Sequence, residues 1–202
     1  MKQSFEKYAL MIRSWYEEDL AFRQMLIDNG KLQNNYNSEM ESIHLKNAKR
    51  LEKLIDEISY PTAELFGREA EKAAWMIIQH AISRPDFMKK CLKHLQGLVN
   101  VGKGNALHLA YLTDRILCFE GKKQLYGTQF DWDSNLEMSP MPYDALSAVN
   151  KRRSDLGLNT VKEQTDLMRR RVKEEGQEPP ENYLKYIEDK MNWSLQNGWT
   201  KQ

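Results

Sequence analysis

An imidazole, a carboxylate and a guanidinium stand inside segments that are otherwise almost wholly apolar, and that placement is the clearest chemical signal in this 202-residue sequence. His80 follows Gln79 within the apolar run 70–82, and Asp114 and Arg115 interrupt the apolar run 106–119. Imidazole titrates near neutral pH, so His80 is the expected proton-transfer residue. Asp114 is expected to orient it or an attacking water. Arg115, with Arg152 and Arg153, is expected to bind a carboxylate or phosphate and to stabilise developing negative charge. A buried polar group without a partner costs about 1–3 kcal/mol, and an unpaired buried charge costs several, so each of these side chains needs a partner from another element. One of Arg152 and Arg153 continues the stripe Ala145, Leu146, Val149, Leu156 and is expected to pair with Asp114 or Asp19.

More polar residues fall on apolar stripes. Asp19 lies on the stripe Phe5, Tyr8, Ile12, Trp15, Phe22, Leu26, with Arg23 four residues on; the pair is read equally as a surface ion pair or as an inward-facing one. His44 and Asn47 interrupt Met40, Ile43, Leu51, Leu54, Ile55, Ile58. Gln124, Tyr126 and Thr128 share one face of an alternating segment, with Gln129 on the other. Gln79, Gln124, Tyr126 and Gln129 are expected to fix a substrate through neutral donors and acceptors.

Metal and cofactor readings are thinner. Glu41-Ser42-Ile43-His44 has the Glu-x-x-His spacing of di-metal bundles, but that architecture needs a second copy, and none of His80, His94 or His108 has Glu three residues earlier. His44, His80 and one of Asp19 or Asp114 remain a mononuclear option. The sequence carries no cofactor fingerprint, and the expectation is of neither metal nor cofactor. Cys91 and His94 lack a second ligand pair, Gly102-Lys103-Gly104 lacks phosphate-loop spacing, and no Gly-x-Ser-x-Gly elbow occurs.

These side chains must be held by helices. Apolar residues recur at helical spacing over 4–28, 39–58, 68–83, 85–100, 105–120, 143–156, 160–175 and 181–195. A polar connector is expected over 31–37, a short turn before Gly67, and Pro85 in the first turn of its helix. The alternation from 124 to 130 predicts a strand, Asp133-Ser134-Asn135 a turn, and 136–139 a returning strand. The expected fold is all-α: a bundle of about seven helices with a small β-hairpin-like insertion. The expected organisation is a helical domain over 1–158 carrying the site and a C-terminal helical extension over 159–202 packed on it.

Composition bounds the function. Thirty Lys and Arg against 29 Asp and Glu give a net charge of +1, which removes the electrostatic case for nucleic-acid or membrane-surface binding. Arg169-Arg170-Arg171 is followed at once by Glu174 and Glu175 and reads as a solvated helix face. The longest uncharged apolar stretch, 73–83, is too short to span a bilayer, which needs roughly 20 residues. Two cysteines cannot form a disulfide framework, and the first eight residues have no secretory apolar region, so a cytoplasmic location is expected.

Gln79-His80, Leu112-Thr113-Asp114-Arg115, the run Gln124-Leu125-Tyr126-Gly127-Thr128-Gln129, and Arg152-Arg153 with Leu156-Gly157-Leu158 carry a family resemblance. Together with Trp15, Asp19, Arg23, Asn47, Leu51, Ile55 and Pro61, the chain from Trp15 to Leu158 resembles a bacterial family known only as a domain of unknown function. It departs from that pattern at Leu20, where Gln is common, and at Ser59-Tyr60-Pro61, where Gly-Trp-Pro is common. The resemblance implies no activity. The residues themselves point to an enzyme using acid–base chemistry, hydrolysis or group transfer, on a small anionic molecule or peptide. The alternative is a non-catalytic ligand-binding or interaction module whose polar cluster is a structural network.

Overall fold

The computed structural model of the chain describes residues 2–31 and 37–200. Among them are nine α-helices and one two-stranded antiparallel hairpin, so the fold is all-α with a small β insertion. The connector expected over 31–37 lies, apart from its two ends, outside the described residues. None of the helices among the described residues is long and apolar enough to cross a membrane.

The chain divides into two compact units, Met1–Asn105 and Ala106–Gln202. The sequence places the division at 158 instead. The structure gives the reason for the difference: helix 161–174 packs on the hairpin, where Arg169 donates from Nε to the Met138 carbonyl at 3.1 Å and from Nη2 to Ser139 Oγ at 3.1 Å. The segment after 158 therefore belongs with the hairpin.

The first unit contains α1 (Lys2–Asp28), α2 (Ser38–Glu57), α3 (Ala63–Phe66), α4 (Arg68–His80) and α5 (Pro85–Asn100). Residues Ile12, Asp19 and Leu26 of α1 repeat at seven and are each at most 1 % exposed, so they form one inward stripe. Asn37 caps α2, its side chain accepting from the amides of Glu39 and Met40. α2 buries Met40, His44, Asn47, Ala48, Leu51, Leu54 and Ile55. The short turn expected before Gly67 is a single helical turn, α3, and Gly67, at φ 83°, joins it to α4. α4 buries Ala70, Ala73 and Ala74, whose small side chains admit the close approach of α1 and α2. It ends at His80, three residues before the expected stop, because the chain must turn to place Pro85 at the start of α5. Phe87, Met88, Cys91 and Leu95 of α5 complete this core.

The second unit contains α6 (Ala106–Phe119), β1 (Phe130–Trp132), β2 (Met138–Pro140), α7 (Leu146–Asp155), α8 (Val161–Glu174) and α9 (Tyr183–Gln196). β1 and β2 pair with Phe130 opposite Pro140 and Trp132 opposite Met138. The turn between them is organised by Asp133, whose Oδ1 accepts from the amides of Asn135 and Glu137. The expected strand over 124–130 does not form: only Phe130 joins the ladder, and the amides of Leu125, Tyr126 and Thr128 are drawn to the Asp114 carboxylate instead. α8 begins with a capping box between Thr160 and Glu163. Trp199 stacks on Phe119 at 4.9 Å and Trp193 packs on the same ring at 5.7 Å, while Tyr186 and Lys190 of α9 both donate to Asp131.

Candidate functional site

Three side chains from three helices meet in the first unit. Asp19 lies about two thirds of the way along α1, His44 in the second turn of α2, and His80 at the last residue of α4. Asp19 Oδ1 is 3.2 Å from His44 Nε2, and Asp19 Oδ2 is 2.6 Å from His80 Nδ1. The two imidazole rings are tilted 41° with centroids 4.8 Å apart. Asp19 is 1 % exposed and His44 8 %, whereas the His80 side chain is 24 % exposed, so the cluster opens to solvent on the His80 side. Burial opposes the charge on Asp19. The hydrogen bonds from His44 and His80, with the charge of both rings, nevertheless hold its carboxyl well below the usual carboxylate range.

The seam between α1 and α2 is pinned beside this cluster. Asn47 Nδ2 donates to the Trp15 carbonyl at 2.8 Å, one turn from His44 and one turn from Asp19. Glu18, next to Asp19, accepts from Lys46 at 3.1 Å and from Arg50 at 3.2 Å. Ser83 donates to Glu41, tying the turn after α4 to the start of α2. Tyr16 stands one turn before Asp19 with its ring 6.4 Å from that of His80, and its hydroxyl is pushed up by burial and by the Asp19 charge. Tyr16 and Glu41 were not among the expected site residues. Tyr16 could have been found from its i−3 position to Asp19 on α1. Arg23 is exposed, and Asp19 takes its hydrogen bonds from His44 and His80. Gln79 is buried on α4.

In the second unit the expected site residues hold a loop. Asp114, fully buried on α6, accepts from the amides of Leu125 at 2.8 Å, Tyr126 at 3.1 Å and Thr128 at 3.0 Å, and from Thr128 Oγ1 at 3.0 Å. Burial pushes its carboxyl up, and these donors act against that push. The orienting bond to His80 expected from Asp114 comes from Asp19. The Gln124 amide donates to the carbonyls of Gln129 and Met141 and accepts from the Gln129 amide. Arg153, 1 % exposed, donates to the carbonyls of Tyr126, Gly127 and Asn159 and to Asn159 Oδ1. Arg152 bonds the Leu125 carbonyl and Asp144, and Arg115 Nε donates to Gln129 Oε1 at 3.1 Å. The sequence suggests Arg152 or Arg153 as a partner of Asp114 or Asp19; in the structure Arg152 bonds the Leu125 carbonyl and Asp144, and Arg153 bonds carbonyls and Asn159. An open cleft of about 360 Å³ between the hairpin and α8 is lined by Trp132, Met138, Arg169, Val172, Lys173 and Gln177 among others, and by none of the expected site residues.

Residues 9–174 match the model of a family of unknown function, DUF6624. The chain belongs to this family. The matched span includes Asp19, His44 and His80 of the cluster, and Asp114 with the loop it holds, and it stops at the end of α8. No curated protein and no solved structure matches the chain. Family membership therefore brings no activity with it.

Proposed function

We propose that the chain is an enzyme performing acid–base chemistry, hydrolysis or group transfer, at the cluster of Asp19, His44 and His80. One observation carries this reading: a single buried carboxylate is divided between two imidazoles, one of which reaches solvent. The chain itself supplies the contrast. Asp114, an equally buried carboxylate, is covered by backbone amides and a threonine hydroxyl, groups that cannot exchange a proton near neutral pH. Asp19 is covered by titratable rings, the arrangement that acid–base chemistry needs and that a purely structural buried acid does not. Its two hydrogen bonds fix the orientation of each ring. A small molecule or peptide would approach from the His80 side.

Arg115, Arg152 and Arg153 bond within their own unit, and we do not assign them to anion binding. Their network, with Asp114 and Gln124, favours the structural reading for the second unit. A reducing cytoplasm suits the two free cysteines, Cys91 and Cys118.

The test is turnover of chromogenic carboxylic esters, amides and phosphate mono- and diesters by wild type, His80→Ala, His44→Ala and the exposed-histidine control His94→Ala. We expect a loss of at least about 100-fold for the first two variants on the substrate class that is turned over, with His94→Ala unchanged. Equal turnover by wild type and His80→Ala refutes the proposal.

A further inference from the structure

We infer that Asp19, His44 and His80 bind one divalent ion of the first transition row, with zinc as the type case. This deepens the acid–base reading and rests on it for the chemistry the ion would serve; the binding itself is argued from geometry. The donor set is two imidazole nitrogens and one carboxylate oxygen, a combination that suits zinc and its neighbours. Magnesium and calcium prefer oxygen ligands, so the two nitrogens select against them.

The three donor atoms lie within 4.8 Å of one another. Tetrahedral ligands about 2.0–2.2 Å from a zinc ion stand about 3.3–3.6 Å apart, and the Asp19 carboxylate already touches both rings, Oδ1 at 3.2 Å from His44 Nε2 and Oδ2 at 2.6 Å from His80 Nδ1. The donors come from three packed helices and not from a loop, and the α1–α2 seam is fixed on either side by the Asn47–Trp15 bond and by Lys46 and Arg50 on Glu18. Little ordering is therefore left to do on binding.

Charge and access agree. With neutral imidazoles the cluster carries one buried negative charge, which a dication compensates. Asp19 and His44 are buried, while the His80 side chain is part-exposed, so solvent reaches the cluster on that side. Three protein ligands with an open position is the form of a catalytic metal site, and a bound ion there would supply an activated water.

The experiment is equilibrium binding of Zn²⁺ to the chelator-stripped full chain, with Co²⁺ as a spectroscopic probe. We expect one equivalent bound with Kd of about 1 μM or tighter, and Co²⁺ visible absorption bands characteristic of nitrogen and oxygen ligands. His44→Ala and His80→Ala should each weaken binding by at least about 30-fold and abolish those bands, His94→Ala should change neither, and Mg²⁺ should not compete. His80 stands at the rim, so His80→Ala should stay folded by circular dichroism even if changes at Asp19 do not. Substoichiometric binding, or binding equally strong in both cluster variants, overturns the inference. If zinc does not bind while His80→Ala still abolishes turnover, the metal site falls and the acid–base reading stands. If zinc binds as expected but His80→Ala turns over like wild type, the site stands and the acid–base reading falls.

Discussion

Replacing Asp114 with alanine should unfasten the loop from Gln124 to Gln129 and destabilise the second unit. The carboxylate accepts from three backbone amides, at 2.8, 3.1 and 3.0 Å, and from the Thr128 hydroxyl at 3.0 Å. Alanine removes every acceptor at once. Each buried amide left without a partner costs about 1–3 kcal/mol. Tyr126 and Thr128 are less exposed than Leu125 and set most of the loss, and the vacated volume adds to it. We expect about 4 kcal/mol. At about 2–4 °C per kcal/mol for a chain of this size, Tm should fall by about 8–16 °C. Asp114→Asn keeps one acceptor oxygen and should lose roughly half as much. Thermal melts followed by circular dichroism, with hydrogen exchange at Leu125, Tyr126 and Thr128, measure both effects. A Tm drop below about 3 °C with those three amides still protected would mean that the carboxylate does not hold the loop.

Three further outcomes follow from the same structure. Gly127 sits at φ 61°, and an added Cβ would lie 3.2 Å from Val161 Cγ2, so Gly127→Ala should cost about 1–3 kcal/mol in urea unfolding, and a neutral result would remove the strain argument. Burial pushes His108 down to about 4. Its unfolded form takes up a proton below about 6.5 while the folded form resists. The His108 contribution should therefore be full above pH 6.5, decline as pH falls toward 4 by up to about 3 kcal/mol, and level off below; His108→Gln should flatten the decline between pH 6.5 and 4 in pH-dependent denaturation. Thr160→Ala removes the capping box of α8 and should cost about 1 kcal/mol, read as a shift in the urea midpoint; no shift would show that the cap is not needed.

Periodicity placed the helices other than the one-turn α3, because an amphipathic stripe is a local property: Ile12, Asp19 and Leu26 announce the inner face of α1 whatever it packs against. Pro85 marked the start of α5 for an equally local reason. The polar residues on those stripes were also legible as buried, since Asp19, His44, Asp114 and Arg153 interrupt apolar runs and all four are buried. Their partners were not legible. The alternation from Gln124 to Phe130 reads as a strand, and only the arrival of the Asp114 carboxylate, ten or more residues earlier in the chain, diverts those amides from a ladder. His80 meets Asp19 across 61 residues and His44 meets it across 25. A sequence states that a buried charge must be matched but not by which group, because the match is made where helices cross, and crossing is decided by the packing of α1, α2 and α4 as whole surfaces.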